Sequence, residues 1–185
     1  MTYSAAQSQF DLESILSLQA RNLPSNISQI EAAEQGFVTV HHSLGILQAM
    51  NEQYGHSLAW ENGQLCGYAL VMETKFRDEI PVLFPMFELL DGVVWRGKPL
   101  AEWRYFVMGQ ICVAKAYRGT GVFAGLYQNL RERLSSSFDL AVTQISARNP
   151  RSVRAHEKTG FEVLHEYTAP DGEHWLVVGW PFLGS

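Results

Sequence analysis

The 185-residue chain has little cysteine, no long apolar run and no excess of positive charge. Cys66 and Cys112 lack metal-like spacing and a neighbouring histidine, which predicts two reduced thiols rather than a disulfide framework or a metal site. Apolar runs such as residues 176–178 are far too short to cross a bilayer. Residues 1–10 lack the basic start and apolar middle of a secretion signal. The net charge of −5 argues against a nucleic-acid binder. We therefore expect a cytoplasmic protein with no membrane and no nucleic-acid partner.

The composition is that of a folded protein. Apolar residues make up 46% of the chain and aromatic residues 12%, which is incompatible with intrinsic disorder. No internal repeat, low-complexity tract or linker divides the sequence. Because the length suits one domain with a substantial core, we expect residues 1–185 to form a single domain.

The charge is distributed unevenly along the chain. Residues 113–160 contain eight basic and three acidic side chains, for a net charge of +5, and the remainder carries −10. The basic residues are Lys115, Arg118, Arg131, Arg133, Arg148, Arg151, Arg154 and Lys158. Two interpretations stay open: a set of solvated helix faces, or a local site for a small polyanion.

Apolar spacing and turn residues predict a mixed α/β sheet. Asn62–Gly63 predicts a tight hairpin turn. Residues 76–100 are punctuated by proline but rich in large apolar groups, and we expect this irregular segment to line a pocket or contact a partner. The predicted helices cover residues 10–20, 29–34, 43–53, 122–134 and 150–159, and the predicted strands cover residues 37–40, 57–60, 65–72, 103–113, 140–147, 161–167 and 174–180.

The two glycines at residues 119 and 121, placed before a helix, indicate a phosphate site. A Walker-type loop is excluded because Val122–Phe123 stands where that motif needs Lys followed by Ser or Thr. A dinucleotide fingerprint is formally present in Gly119, Gly121 and Ala124. Its context is wrong, because residues 115–118 separate the strand from the first glycine and too few residues follow for the second half of that fold.

Two motifs carry a resemblance to a known family. Residues 113–123, V-A-K-A-Y-R-G-T-G-V-F, resemble motif A of the GNAT acetyltransferases. Residues 149–161, N-P-R-S-V-R-A-H-E-K-T-G-F, resemble the second signature of that family, in the form found in phosphinothricin-type acetyltransferases. The resemblance covers about residues 57–167. It implies an α/β fold with a mixed, mostly antiparallel central sheet, a splayed parallel strand pair and flanking helices.

The resemblance also implies acetyl-CoA as the cosubstrate, with no metal. Independently of the family, N–H groups at a helix N-terminus favour a pyrophosphate, and glycines let the backbone approach it. The sequence departs from the family at Phe123, where Gly or Ala is preferred, and at Lys115, which is often proline. The expected cofactor-binding residues are Ile111, Cys112, Val113, Arg118, Gly119, Thr120, Gly121, Val122, Phe123, Asn149 and Ser152.

His156 is the expected catalytic residue. Its place in the second motif implies a proton donor for the departing thiolate, and a histidine that only hydrogen-bonds its neighbours is the alternative. Cys112 is either an acyl-carrying nucleophile or, as we expect, a packed thiol. The general base stays open between a water relay and a glutamate, Glu102 first and then Glu73, Glu79 and Glu88. The pair His41–His42 predicts a substrate-side or helix-capping role.

The expected function is that of an N-acetyltransferase. It would transfer the acetyl group from acetyl-CoA to a primary amine of a small substrate, by direct attack in a ternary complex. The alternative is a non-catalytic acyl-CoA-binding or regulatory module. The expected partner is a small-molecule amine, and a homodimer is possible because many members of the family pair.

Overall fold

A computed structural model describes residues 1–23 and 42–182 of the chain, with only the backbone of residue 82. The predicted helix over residues 29–34, the predicted strand over residues 37–40 and His41 lie outside the described residues. The chain forms two compact units, Met1–Val71 with Gly109–Arg133 and Met72–Met108 with Leu134–Ser185.

The helices and strands follow one another in mixed order. The α-helices are α1 (Gln9–Arg21), α2 (Leu44–Asn51), α3 (Phe84–Asp91), α4 (Val122–Leu134) and α5 (Pro150–Thr159). The strands are β1 (Thr2–Ala5), β2 (Ser57–Glu61), β3 (Gln64–Met72), β4 (Val94–Trp95), β5 (Lys98–Pro99), β6 (Tyr105–Val113), β7 (Leu140–Ser146), β8 (Glu162–Thr168) and β9 (His174–Pro181). Short 3₁₀ helices cover Thr74–Asp78, Pro81–Leu83, Leu100–Glu102 and Lys115–Tyr117.

In the first unit, β2 pairs with β1 and β3 in antiparallel fashion. The predicted hairpin turn is confirmed, since Asn62 and Gly63 have φ angles of 49° and 76°. Helix α1 begins at a capping box formed by Ser8 and Asp11. Helix α4 buries a stripe at four-residue spacing, and a Cβ on Gly67 of β3 would meet its Leu126 at 3.2 Å. Glycine therefore lets the helix pack directly on the strand. The stripe consists of Val122, Leu126 and Leu130.

The neutral side chain of His56 joins α2 to β3 inside the first unit. Its ring is fully buried, its Nε2–H donates to the Leu47 carbonyl at 3.2 Å, and its Nδ1 accepts from the Val71 N–H at 3.1 Å. Burial lowers the pKa of His56 to about 3, because desolvation penalises the charged ring.

In the second unit, β9 lies between β7 and β8 and is antiparallel to both. The N-terminal half of β6 pairs with β7 in parallel, over the three registers from Tyr105↔Leu140 to Val107↔Val142. Within the described residues, the pairing ends there although both strands continue. The parallel pair therefore splays, as expected from the family resemblance. Seven strands are hydrogen-bonded in the order β1-β2-β3-β6-β7-β9-β8, which confirms the predicted fold class.

Two expectations about the elements need correction. Residues 76–100 are not irregular: they form 3₁₀ turns, α3 and the hairpin β4–β5, whose turn holds Arg96 and Gly97 at positive φ. Strand β1 had no counterpart among the predicted strands. Its four residues are too few for a recognisable alternation, and β2 supplies its hydrogen-bond partners. Among residues 1–23 and 42–182, no helix combines the length and the hydropathy that crossing a membrane requires.

Candidate functional site

The segment after β6 forms a compact turn in front of α4. The Ala114 N–H donates to the Cys66 carbonyl at 2.8 Å, and the Thr120 hydroxyl donates to the Tyr117 carbonyl at 2.7 Å. Gly119 and Gly121 have φ angles of 82° and 91°, which side chains other than glycine rarely adopt. The glycines predicted from the sequence are thus required by the backbone of this turn.

The turn presents the N-terminus of α4 to solvent. Its first i→i−4 bond runs from the Gly125 N–H to the Gly121 carbonyl, so the N–H groups of the preceding turn have no intrahelical acceptor. The first turn of α4 contains no acidic residue, and Gly119, Thr120 and Gly121 are exposed. The positive end of the helix dipole and the neighbouring amide hydrogens make this turn suited to an anion.

Arg118 is held by its own protein chain. Its Nε–H donates to the Val113 carbonyl at 3.1 Å, and its Nη2 donates to Asn22 Oδ1 at 2.8 Å, at the C-terminal end of α1. The guanidinium therefore braces the turn and brings a positive charge beside it. Phe123, the departure from the family pattern, is half-buried and meets Tyr127 edge-on, with ring centroids 5.1 Å apart.

The predicted cofactor strand presents alternating side chains. Ile111 and Val113 are half-buried, and Cys112 between them is buried. Burial raises the pKa of the Cys112 thiol to about 11, although the Arg118 charge opposes this shift. The thiol is thus protonated at pH 7, which favours the packed thiol over an acyl-carrying nucleophile.

A buried polar cluster lies next to this strand in the first unit. Gln19 Nε2 donates to Gln110 Oε1 at 2.6 Å and contacts His42 Nδ1 at 3.0 Å. The His42 N–H donates to Gln19 Oε1 at 2.9 Å, and the Tyr68 hydroxyl donates to Gln110 Oε1 at 2.6 Å. Because the His42 backbone N–H can only donate, it must face Oε1 of Gln19, which fixes the orientation of the Gln19 amide. Nε2 of Gln19 then donates to Gln110, which fixes the orientation of the Gln110 amide. His42 therefore holds α1 rather than capping α2, whose N-cap is Ser43.

The second predicted group lies at the start of α5, in the second unit. Asn149 is the N-cap, and its Oδ1 accepts from the Ser152 N–H at 3.0 Å. His156 is 2% exposed, and its Nδ1 bonds the Ser152 carbonyl at 2.8 Å. Because a carbonyl only accepts, Nδ1 carries the hydrogen. Burial lowers the pKa of His156 to about 4, so the ring is neutral at pH 7.

Of the four glutamates considered as bases, three are exposed and Glu73 is half-buried. Glu79, Glu88 and Glu102 are exposed, and Glu73 pairs with Lys75 at 2.7 Å. The structure buries instead a carboxylate to which the sequence assigned no role, Glu173. The one sequence signal near Glu173 is the turn Asp171–Gly172 that precedes it, and a turn does not predict burial of the residue that follows.

A cavity of about 660 Å³ lies in the first unit, between the start of α1 and one face of α2. None of the predicted site residues is among its described lining residues, which are Ala5, Ala6, Gln7, Ser8, Gln9, Leu12, Gly45, Gln48, Ala49, Asn51, Glu52 and Gly55. In the described part of the chain, no three His, Cys, Asp or Glu side chains form a cluster able to hold a metal ion.

The sequence comparison decides the family. The model of the Acetyltransferase (GNAT) family matches residues 18–161, which include the turn before α4 and the whole of α5. The chain belongs to the GNAT acetyltransferase family. No curated protein matches this GNAT acetyltransferase in sequence.

Solved structures share the fold of this GNAT acetyltransferase at low identity. The ribosomal-protein-S18-alanine N-acetyltransferase of Escherichia coli is 16% identical with a TM-score of 0.63, covering 100% of this chain and 95% of the other. A Salmonella typhimurium protein solved with its cofactor acetyl-CoA is 16% identical with a TM-score of 0.64, and the match covers 100% of this chain and 95% of the other. The ribosomal-protein-alanine N-acetyltransferase of Brucella melitensis is 18% identical with a TM-score of 0.64, and the match covers 98% of this chain and 99% of the other.

Proposed function

We propose that the protein transfers the acetyl group of acetyl-CoA to a primary amine of a small substrate, by direct attack in a ternary complex. The observation that carries this proposal is the turn with positive φ at Gly119 and Gly121, which follows β6 and exposes the N-terminus of α4. In that turn, Thr120 and the N–H groups of Val122 and Phe123 would hold the pyrophosphate. Asn149 and Ser152 are proposed as cofactor contacts on α5.

The splay of the parallel pair supports the placement of the thioester arm. Among the described residues, the registers between the two strands end at Val107 and Val142, so backbone groups of Ile111, Cys112 and Val113 are proposed to align the pantetheine chain. A backbone N–H in this position would stabilise the oxyanion that forms when the amine attacks.

The reaction needs no covalent enzyme intermediate. The amine nitrogen attacks the thioester carbon, a C–N bond forms, and the carbonyl electrons move to oxygen. When the carbonyl reforms, the C–S bond breaks, the thiolate leaves with its electron pair, and the nitrogen releases one proton to water. His156 is proposed to supply the proton that converts the thiolate to a thiol.

The proposal is tested by titrating acetyl-CoA into the purified protein and then measuring CoA release with a panel of primary amines. We expect saturable acetyl-CoA binding and amine-dependent release. Binding without release for any amine would support the non-catalytic acyl-CoA-binding module instead. The absence of binding would overturn the proposal altogether.

His156→Phe tests the proton donor. Because the pKa of His156 is about 4, only a small protonated fraction is present at pH 7, and that fraction grows tenfold for each pH unit lost. We expect the ratio of wild-type to variant kcat to rise as the pH falls from 8 to 6, with a variant kcat about 100-fold lower at pH 7. The ratio cancels the titration of the amine. A ratio that stays near one at every pH would assign His156 to packing against Phe161, 4.9 Å away between ring centroids.

A further inference from the structure

One face of the sheet in the second unit carries polar side chains in neighbouring positions. Gln144 and Ser146 are two residues apart on β7, so their side chains point to the same face. Ser146 lies opposite Trp175 on β9, which in turn lies opposite Tyr167 on β8. The Tyr167 hydroxyl reaches Gln144 Oε1 at 3.2 Å. The end of β7 therefore carries a polar patch composed of Gln144, Ser146, Tyr167 and Glu173.

Glu173 brings a buried carboxylate to this patch. The residue is 8% exposed, and the Ser146 hydroxyl donates to its Oε1. The guanidinium of Arg148 contacts Oε2 as an ion pair, but the Arg148 side chain is itself 81% exposed. A buried carboxylate is stable only with a cationic or hydrogen-bonding partner, and here the cation stands in solvent, where a ligand can displace it.

Oε2 of Glu173 is ion-paired with the exposed Arg148. Nε2 of Gln144, a buried donor, makes no hydrogen bond within residues 1–23 and 42–182. Buried groups of this kind are rare in folded proteins and require an explanation, such as a ligand or an ordered water. Gln144 and Ser146, the hydrogen-bond partner of Glu173, are two residues apart on β7, which separates them by about 7 Å. A span of this size can be bridged by one small molecule with two hydrogen bonds.

The patch adjoins the start of α5 within the second unit. The Asn149 N–H donates to the Ser146 carbonyl at 2.9 Å, and α5 carries His156, the proton donor of the proposed function. The inference that follows rests on that function.

We propose that Gln144 and Glu173 form the subsite for the acceptor amine. Glu173 Oε2 accepts a hydrogen bond from the neutral amino group in place of Arg148, and Gln144 Nε2 donates to a carbonyl oxygen on the adjacent carbon. A molecule with both groups is an aminoacyl compound, meaning an amino acid amide or the free N-terminus of a short peptide. Simple alkylamines have an amino group but no carbonyl oxygen, so they can bind Glu173 but not Gln144.

The test uses two probe amines of the same shape. Alaninamide carries the carbonyl, and in 3-methylbutan-2-amine an isopropyl group replaces the carboxamide. We expect wild-type protein to acetylate alaninamide with a kcat/KM at least about tenfold higher at equal concentrations of neutral amine, because an unmatched polar group in a binding site is strongly selective.

Two variants separate the contribution of Gln144 to amine binding from that of Glu173. Gln144→Leu is expected to lower kcat/KM about tenfold for alaninamide and to change it less than twofold for the alkylamine. Glu173→Gln retains an acceptor for Ser146 but loses the charge, and is expected to raise the KM of both amines about tenfold while the acetyl-CoA affinity is unchanged. The matched control is Glu166→Gln, an exposed glutamate on β8 paired with His174, with no expected effect on either amine.

Each outcome decides between the two proposals. If acetyl-CoA binds but wild-type protein acetylates neither probe, or accepts both equally, the subsite is wrong and the proposed function is retained. Equal losses for both amines in Gln144→Leu also overturn the subsite, since that pattern indicates a structural role. If acetyl-CoA fails to bind, the proposed function fails as well.

Discussion

Gly121→Ala is expected to weaken acetyl-CoA binding about 10- to 100-fold. Gly121 has φ 91°, and no atom lies within 4 Å of the position that an added methyl group would take, so the variant strains the backbone without a steric clash. Relief of the strain turns the peptide groups that we propose to face the pyrophosphate. The loss of one charge-assisted hydrogen bond, contributing about 1.5–3 kcal/mol, accounts for the change. Isothermal titration calorimetry with acetyl-CoA gives the Kd directly.

Gly63→Ala is the matched control for this experiment. Gly63 has φ 76° in the turn between β2 and β3 and likewise has open space around it. Both variants are expected to lose about 1–2 kcal/mol of unfolding free energy, but only the variant at residue 121 should lose affinity for the cofactor. Equal affinities in the two variants would remove the turn before α4 from the binding site.

Acid is expected to destabilise the protein well above the pH at which carboxylates titrate. Burial lowers the pKa of His56 to about 3 and that of His156 to about 4, against about 6.5 in the unfolded chain. As the pH falls below 6.5, the two histidines are protonated in the unfolded state but stay neutral in the native state. The unfolding free energy therefore decreases from pH 6.5 down to the native pKa values of about 4 for His156 and about 3 for His56. At pH 5 each histidine costs roughly 2 kcal/mol, so the two together remove roughly 4 kcal/mol relative to pH 8.

Urea unfolding at pH 8, 6 and 5 measures this loss. His56→Gln can still donate to the Leu47 carbonyl but does not titrate, and is expected to recover about half of the loss between pH 8 and pH 5, from a lower starting stability. An unfolding free energy that is constant from pH 8 to pH 5 would mean that neither histidine is buried in its neutral form.

The local features of the site follow from the sequence because they depend on neighbouring residues. Gly119 and Gly121 mark backbone angles that only glycine adopts readily, and Asn149–Pro150 marks the start of a helix. Both signals are independent of the rest of the fold. The family resemblance added the splayed parallel pair, which no local pattern encodes.

The contacts that orient the site do not follow from the sequence, because they join distant residues. Asn22, the partner of Arg118, lies 96 positions away, and no spacing rule connects an asparagine at a helix end to an arginine in a later turn. The burial of Glu173 likewise depends on the register of β9 against β7, which places it beside Ser146. Register is a property of the assembled sheet rather than of either strand alone.

The cluster of Gln19, His42, Tyr68 and Gln110 constrains how the protein can evolve. Each member fixes the orientation of the next, so any single apolar replacement leaves a buried donor or acceptor without its partner and costs about 1–3 kcal/mol. Simultaneous exchange of all four for apolar groups of similar volume removes the side-chain donors and acceptors together, and leaves the backbone N–H of residue 42 to find a new acceptor. Homologous lineages should therefore keep or lose the quartet as a unit, with few viable intermediates between the two solutions.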